Sequence, residues 1–418
     1  MIRNLGEKYS PLYFLAALGF GGMSVFFFMI FMHVTPHPET PMPTFESITS
    51  AYADGDGFMR TAIIVGYVGM IAALAMHIGL LAWNIREFGV FRQTGAYQTL
   101  KSTNAEVTLL AVPLTLGMTI NGVFVAALAL IPGLWGIIQS LMPLALVAYG
   151  AVGAFAMVIM TNYLRRIIAG GFSFEANGGL NQLLAAFAFS MVSVGFGAPA
   201  AMGTNTLVVL VGIWGSIMFG IISLILFGVF LVAGIMSIMR YGLALPNSAT
   251  LWLAVPILTL WAITVLRDRH GMQTLMDIGP AGPQEHPGSS VGLMVFLSFV
   301  LLTQVAFLGL GFVVMRANGF FRQFVLGREV VSPVAFTLVC PGVALSVLSM
   351  FFINVGLIQN GLVEKFSATY YGLLLIPAAV AAATLWLAFT LFRNQLSTAS
   401  GFARKQAEAA RAEELVEA

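Results

Sequence analysis

The fold class follows from one stretch, VAFTLVCPGVALSVLSMFFINVGL, residues 334 to 357. Its 24 residues include no charged side chain. About 20 mostly apolar residues are needed to cross the hydrocarbon core of a bilayer as a helix. Irregular backbone cannot face lipid there, because its polar groups would lack hydrogen-bond partners. The stretch therefore predicts a transmembrane helix, with the one cysteine of the chain, Cys340, beside a proline inside it.

The composition of the whole chain points the same way. Hydrophobic residues make up 59% of it and charged residues 9%, with a mean hydropathy of +0.93. Soluble domains carry roughly 25% charged residues, so the composition predicts a membrane protein. A net charge of +2 favours no nucleic-acid partner. One cysteine excludes an intramolecular disulfide and a cysteine metal cluster. No phosphate-binding loop, dinucleotide motif or paired-histidine haem pattern is present, so we predict no cofactor and no metal.

Nine further stretches have the same character, and we predict an all-α polytopic membrane protein with ten transmembrane helices. The first apolar run is about twice as long as the apolar core of a signal peptide and has no small-residue cleavage site, so we expect it to be a span. The predicted spans are Pro11–Val34, Thr61–Trp83, Val107–Leu130, Met142–Leu164, Leu180–Met202, Leu207–Met239, Leu251–Leu266, Val291–Met315, Val334–Leu357 and Tyr370–Phe392.

Loop charges predict the orientation of these helices. With the N-terminus inside, 15 of the 19 Lys and Arg residues lie on one side of the membrane and 4 on the other. The four are Arg60, Arg267, Arg269 and Lys365. We therefore expect a protein of the inner (plasma) membrane with both termini in the cytoplasm. Residues 1–393 are the predicted transmembrane channel or transporter domain, and residues 394–418 are a predicted cytoplasmic tail.

Two predicted outer loops are long, polar and rich in proline and glycine: residues 33–60 and 267–290. Turn residues dominate both, so neither is predicted to be a separate domain. His33, His37 and Glu39 lie close together in the first loop. The prolines among them disfavour the helix that would align them, and we predict a solvated loop without a metal site.

Three odd-numbered spans share a short pattern. The third contains TLLAVPLTL, the seventh LWLAVPILTL and the ninth FTLVCPGVAL, each with a proline in the body of the span: Pro113, Pro256 and Pro341. The fifth differs, since it has Gly195 and a proline only near its end, and the first has LGFGG. A period of about 80 residues suggests five helical hairpins whose odd helices are equivalent.

A proline inside a helix removes one N–H and leaves a carbonyl without its partner. Matched kinks would group the odd helices around a common axis and form a narrow pore. The alternative is that each proline only shapes helix packing. The candidate pore-lining or kink residues are Pro113, Pro256, Pro341, Gly195, Phe187 and Gly21.

Ionisable residues are absent from the centres of the predicted spans. Coupled transporters and redox pumps usually need such a relay, and the one candidate, His77, is interpreted as a packing or hydrogen-bonding residue. Glu106, Glu175 and Glu329 precede odd helices, where a carboxylate favours the helix N-terminus. A passive conduit is therefore favoured over coupled transport, and we predict no enzymatic activity and no catalytic residue.

Several motifs resemble the tellurite-resistance/dicarboxylate transporter family, which includes bacterial TehA, plant slow anion channels and fungal malate and sulfite transporters. The resemblance runs over nearly all of the chain, from about residue 8 to 393, although each similar stretch is weak alone. They are PLYFLAALGFGGMS from Pro11, FRQTGAYQTLKSTNAEVTLLAVPLT from Phe91, RRIIAGG from Arg165, LALPNSATLWLAVP from Leu243 and SPVAFTLVCPGVALSV from Ser332.

The resemblance implies five helical hairpins in a quasi-fivefold arrangement, with odd helices lining a central pore and even helices outside. It also implies a homotrimer, small inorganic or organic anions as partners besides the lipid bilayer, and a phenylalanine pore gate that falls on Phe336. The chain departs from the family at Leu338, where a second aromatic residue is expected, and its outer loops are longer than in short bacterial members. Cys340 resembles the position of cysteine or selenocysteine in a bacterial branch of the family, TsoY.

Three functions stay open on these grounds. The first is an anion channel or passive transporter for small anions or oxyanions of the sulfite, selenite and tellurite class, selective without a charged binding site. The second is a membrane redox protein that uses Cys340, although a buried lone cysteine is usually a small apolar side chain. The third is a proton-coupled exporter of sulfur or selenium oxyanions or dicarboxylates, which needs a titrating group in its path.

Overall fold

The computed structural model describes residues 1–278, 290–328 and 330–397. Within them, ten helices are long and apolar enough to cross a membrane, and no β-strand occurs, which confirms an all-α, multi-pass protein. We call them the first to the tenth span. Their bounds are Pro11–Val34, Gly57–Phe91, Asn104–Leu130, Leu134–Gly170, Leu183–Met202, Thr206–Tyr241, Leu245–Ile278, Val291–Ala317, Pro333–Ile358 and Ala368–Leu396.

Odd and even spans differ sharply in burial. In the most apolar window of each odd span, 67–100% of the residues are buried, whereas in the even spans the share is 22–33%. The even spans expose large apolar side chains such as Val147, Trp214, Leu302 and Leu375. An apolar surface of this kind suits lipid and not water. The odd spans therefore form the interior of the bundle.

The contacts between spans follow a regular order. Each odd span contacts the even span that follows it in the chain. The third span also contacts the first and the fifth, the seventh contacts the fifth and the ninth, and the ninth contacts the first. Each odd span thus has two other odd spans as neighbours.

The two kinds of span begin differently. Side-chain caps start four of the five even spans, and the capping residues are Asp56, Asn205, Ser290 and Ser367. The odd spans begin with 3-10 backbone geometry, as in Asn104–Leu110 and Pro333–Leu338, and Ser10 and Thr103 also cap the first and third of them. Just before the fifth span, the 3-10 pattern consists of hydrogen bonds between residues three apart, such as Leu183 N to Leu180 O at 3.0 Å.

The matched prolines lie at this change of helix type. Pro113, Pro256 and Pro341 are each the third residue of the α-helical part, after a 3-10 segment. The first four N–H groups of an α-helix have no partner within the helix, so a proline there removes no hydrogen bond. The expected break in the body of each span is therefore corrected to a change from 3-10 to α geometry near its beginning.

Several predicted boundaries change. The second and fourth spans have 35 and 37 residues against a predicted 23 each, whereas the sixth has 36 against a predicted 33. The seventh span does not end at Leu266 but continues to Ile278, so the predicted outer loop at 267–290 begins as helix. The tenth runs to Leu396, past the predicted domain boundary at 393. Glu329, which precedes the ninth span, lies outside the described residues. So do residues 398–418 of the predicted tail.

Candidate functional site

A narrow cavity lies among the odd spans. Its volume is about 70 Å³, against the roughly 10–15 Å³ that one water needs. All five odd spans line it. One lining residue from each, in chain order, is Leu18, Met118, Phe187, Pro256 and Cys340. The lining is otherwise apolar apart from the side chains of Asn121 and Thr259. No charged side chain of the described residues lines this cavity.

A wide cavity of about 780 Å³ lies at the ends of the same spans. The described charged side chains that line it are all of one sign. The basic and histidine side chains that line it are Arg267, Arg269, Lys365, His33, His37 and His270, and no described aspartate or glutamate does so. The cavity therefore carries three formal positive charges and favours anions over cations.

The two cavities adjoin. Val25, Asn121 and Ile263 line both of them, on the first, third and seventh spans. Val25, Asn121 and Ile263 lie further along their spans, toward the wide cavity. They follow Leu18, Met118 and Pro256, respectively. An ion that leaves the wide cavity would thus meet the amide of Asn121 and then a short apolar passage that ends near Cys340.

Three of the sequence-predicted residues meet at the narrow cavity: Phe187, Pro256 and Cys340. Cys340 is 7% exposed and has no disulfide partner, since it is the one cysteine in the chain. Its position gives the thiol access to a cavity, which a purely packing cysteine would lack.

Phe336 lines neither cavity. Its side chain is 1% exposed, and its ring lies edge-on to Tyr13 of the first span with the ring centroids 6.1 Å apart. It lies in the 3-10 segment Pro333–Leu338, one helical turn before Cys340. Phe336 is therefore next to the narrow end of the passage and on the side away from the wide cavity.

The remaining predicted residues are in contacts between helices. Pro113 and Pro341 line neither cavity. A Cβ added to Gly21 would lie 2.7 Å from Nδ1 of His77, and one added to Gly195 would lie 2.1 Å from Cε1 of Tyr149. Both glycines therefore allow an even span to approach an odd one.

His77 joins three spans by hydrogen bonds. Its Nδ1 lies 2.7 Å from the carbonyl oxygen of Ala17 and its Nε2 lies 2.9 Å from Oγ1 of Thr119. The ring is fully buried and lines neither cavity. These contacts agree with the interpretation of His77 as a hydrogen-bonding residue. At the beginning of the third span, Glu106 forms an ion pair with Arg166 at 3.0 Å.

The two histidines at the end of the first span belong to the wall of the wide cavity. Both ring nitrogens of His37 face carbonyl oxygens, those of Thr40 and Met32, at 3.0 and 2.9 Å. The His33 ring is 6% exposed and packs edge-on to Phe351, and its Nε2 has no hydrogen-bond partner. In the described part of the chain, no three His, Cys, Asp or Glu side chains are grouped to hold a metal ion.

The sequence reasoning missed the basic side chains of the seventh span, because it placed them in a loop. Arg267 is helical, and its Nη1 donates to the carbonyl oxygen of Val194 at 2.7 Å. The neighbouring Asp268 faces the sixth span, where Oγ of Ser216 lies 2.7 and 2.8 Å from its carboxylate oxygens. One signal was available: no proline or glycine interrupts residues 257–270, so the helix had no reason to end at Leu266.

No family model, curated protein or solved structure matches the chain. The resemblance described above therefore remains a prediction.

Proposed function

We propose that the chain is an anion channel or passive anion transporter, in which ions move through the wide cavity and then the narrow one. The observation that carries this proposal is the narrow cavity itself, lined by all five odd spans and adjoining a basic chamber. An apolar passage without fixed charge lets ions leave as readily as they bind, while the basic chamber favours anions. Small anions or oxyanions of the sulfite, selenite and tellurite class are the proposed substrates.

The proposed architecture is five helical hairpins in a quasi-fivefold arrangement around a central pore. The buried odd spans, their contacts with two other odd spans each, and the exposed even spans support it. From the resemblance and the loop charges, we further propose a homotrimer in the inner membrane with both termini in the cytoplasm.

The passive mechanism rests on the absence of a titrating carboxylate or amine along the narrow cavity. Among the described residues its lining offers Cys340 as the one ionisable group, and His77 lies outside it. A coupled transporter would need a group that changes its protonation state within the narrow passage, whereas the histidines of the wide cavity lie only at its entrance. Anion flux in proteoliposomes should therefore be the same with and without a proton gradient.

The proposed gate is the Phe336 ring, which would close the passage beyond Cys340. Removal of the ring should raise anion current across a planar bilayer, measured with chloride, nitrate, sulfite and selenite in turn. Phe189→Ala is the matched control, since Phe189 is equally buried but stacks on Phe219 of the sixth span, with ring centroids 6.1 Å apart. Each substitution removes about 3–5 kcal/mol of packing, so folding of both variants must be verified by gel filtration.

The result expected is a larger current for Phe336→Ala than for the wild type, with Phe189→Ala unchanged. A folded Phe336→Ala protein that conducts no more than the wild type would refute the gate. If neither protein conducts any of the four anions, the conduit itself is wrong.

A further inference from the structure

We propose that the wide cavity contains a binding site for a small divalent oxyanion, with Arg267 and Lys365 as its charged contacts. This inference rests on the proposed function, and it adds what the sequence reasoning did not expect, a charged site in the path. The ligand is defined by its chemistry: two negative charges, and oxygen atoms that accept several hydrogen bonds.

Arg267 is held in place by one hydrogen bond from its guanidinium. Its Nη1 donates to Val194 O at 2.7 Å, so the side chain is fixed between the seventh and fifth spans. A guanidinium has five N–H donors in a rigid plane, and this bond uses one of them. No described carboxylate forms a salt bridge with Arg267, although the charge of the adjacent Asp268, which accepts from Ser216, acts on the guanidinium. The group is therefore orientated and able to bind an anion.

Lys365 lies in the segment after the ninth span and lines the same cavity. Its Nζ lies 5.1 Å from the centre of the Phe366 ring, and none of the described carboxylates forms a salt bridge with it. Partial burial lowers the pKa of Lys365, because the ammonium loses some of its hydration. An anion bound in the cavity would offset that loss.

The His33 ring lies behind this position. It interacts electrostatically with Lys365, and its Nε2 is buried without a partner. An oxyanion at this wall of the cavity, directly or through one water, would provide the missing hydrogen-bond acceptor. Three features on the wall of the same cavity thus suit an anion: an anchored guanidinium, an ammonium without a salt bridge to a described carboxylate, and an unsatisfied ring nitrogen.

The charge of the lining favours a divalent ligand. The attraction of the ligand to Arg267 and to Lys365 doubles when the ligand carries two charges instead of one. A monovalent ion such as chloride gains half of that attraction and fewer hydrogen bonds. We therefore expect the cavity to discriminate between sulfate and chloride when the ionic strength is equal.

The test is calorimetric titration of the full-length protein in a neutral detergent, with sodium sulfate as the probe and sodium chloride at matched ionic strength as the reference. The variants are Arg267→Gln and Lys365→Gln. The matched control is Lys101→Gln, because Lys101 also lies over an aromatic ring, that of Tyr97 at 5.8 Å, but lines neither cavity.

We expect saturable sulfate binding, weakened at least tenfold by either cavity variant and unchanged in the control. Equal effects of sulfate and chloride, or an equal loss in Lys101→Gln, would overturn the site. If Arg267→Gln fails to fold because its bond to Val194 is lost, the Lys365→Gln variant decides the outcome alone. Planar-bilayer current on the same protein separates the two proposals: conduction without sulfate binding refutes the site alone, and binding without conduction refutes the conduit alone.

Discussion

Cys340 allows a direct test of the path, because it is the only thiol in the chain. Two membrane-impermeant methanethiosulfonates serve as reagents, one with an anionic sulfonatoethyl group and one with a cationic trimethylammonium group. Both must cross the wide cavity to reach the thiol in the narrow one. We expect the anionic reagent to modify Cys340 faster in the wild-type protein, once each rate is divided by the rate of that reagent with a small thiol in solution.

The size of the preference follows from the lining charges. Arg267 and Lys365 line the wide cavity without a salt bridge to a described carboxylate. At an assumed distance of about 10 Å in water each charge contributes ~0.4 kcal/mol, so the two reagents differ by ~1.6 kcal/mol, a ~15-fold ratio of rates. With 0.1 M salt the Debye length is about 10 Å, which reduces the difference to ~0.6 kcal/mol and the ratio to about threefold.

The rates are measured by mass spectrometry of protein in proteoliposomes at low salt and at 0.1 M salt, with Cys340→Ser as the unlabelled control. Since both reagents attack the same thiolate, its degree of ionisation cancels from the ratio. A ratio at or below one would refute the anion-selective path. So would a thiol that neither reagent modifies, if the same thiol reacts after the protein is denatured.

The same modification should also block the path. The sulfonatoethyl group would occupy most of a cavity of about 70 Å³, in which a single water takes roughly 10–15 Å³. Anion flux should therefore fall at least tenfold, which corresponds to a barrier higher by about 1.4 kcal/mol. Fully modified protein with unchanged flux would show that ions do not pass Cys340.

Two further predictions concern stability, measured by thermal unfolding in detergent. Gly195→Ala should lower stability by about 1–3 kcal/mol because its Cβ would lie 2.1 Å from Tyr149. The control Gly79→Ala should not destabilise the protein, since no atom lies within 4 Å of the added Cβ. Equal effects of the two substitutions would contradict the packing role of Gly195. Glu46 accepts the N–H of Gly133 at 2.6 Å, and this bond lowers the pKa of its carboxyl. The wild type should therefore be more stable than Glu46→Gln at pH 7. This advantage should be lost as the pH falls below the unfolded pKa of about 4.3 and through the lower folded pKa. A constant difference in stability between pH 7 and pH 3 would contradict this.

The number of spans could be predicted because each requires about 20 apolar residues, and the ten predicted helices are all present. Their lengths could be predicted only in part. The second and fourth spans extend well beyond their predicted ends, and polar residues such as Arg86 and Arg165 lie in the extensions. Hydropathy reports where a helix lies in lipid, whereas the end of the helix depends on caps and hydrogen bonds such as that of Asp56 with Met59.

The candidate site was predictable in part. Phe187, Pro256 and Cys340 do line the narrow cavity, whereas Gly21 and Gly195 contact the even spans. The physical reason is that the odd spans are buried on all sides, so their apolar pattern has no periodicity that distinguishes the pore side from the packing side. A glycine that admits a neighbouring ring and a glycine that widens a pore are then identical in sequence.

Arg267 shows why the charged part of the site was missed. A charge within an apolar helix is expensive in lipid, so an arginine after a run of apolar residues normally marks the end of a span. That rule assumes lipid around the helix. Here the seventh span contacts the fifth, sixth, eighth and ninth, and Arg267 lines a cavity large enough for water. Its charge is therefore solvated from inside the bundle, the helix continues to Ile278, and the arginine lies in the proposed path of the ion.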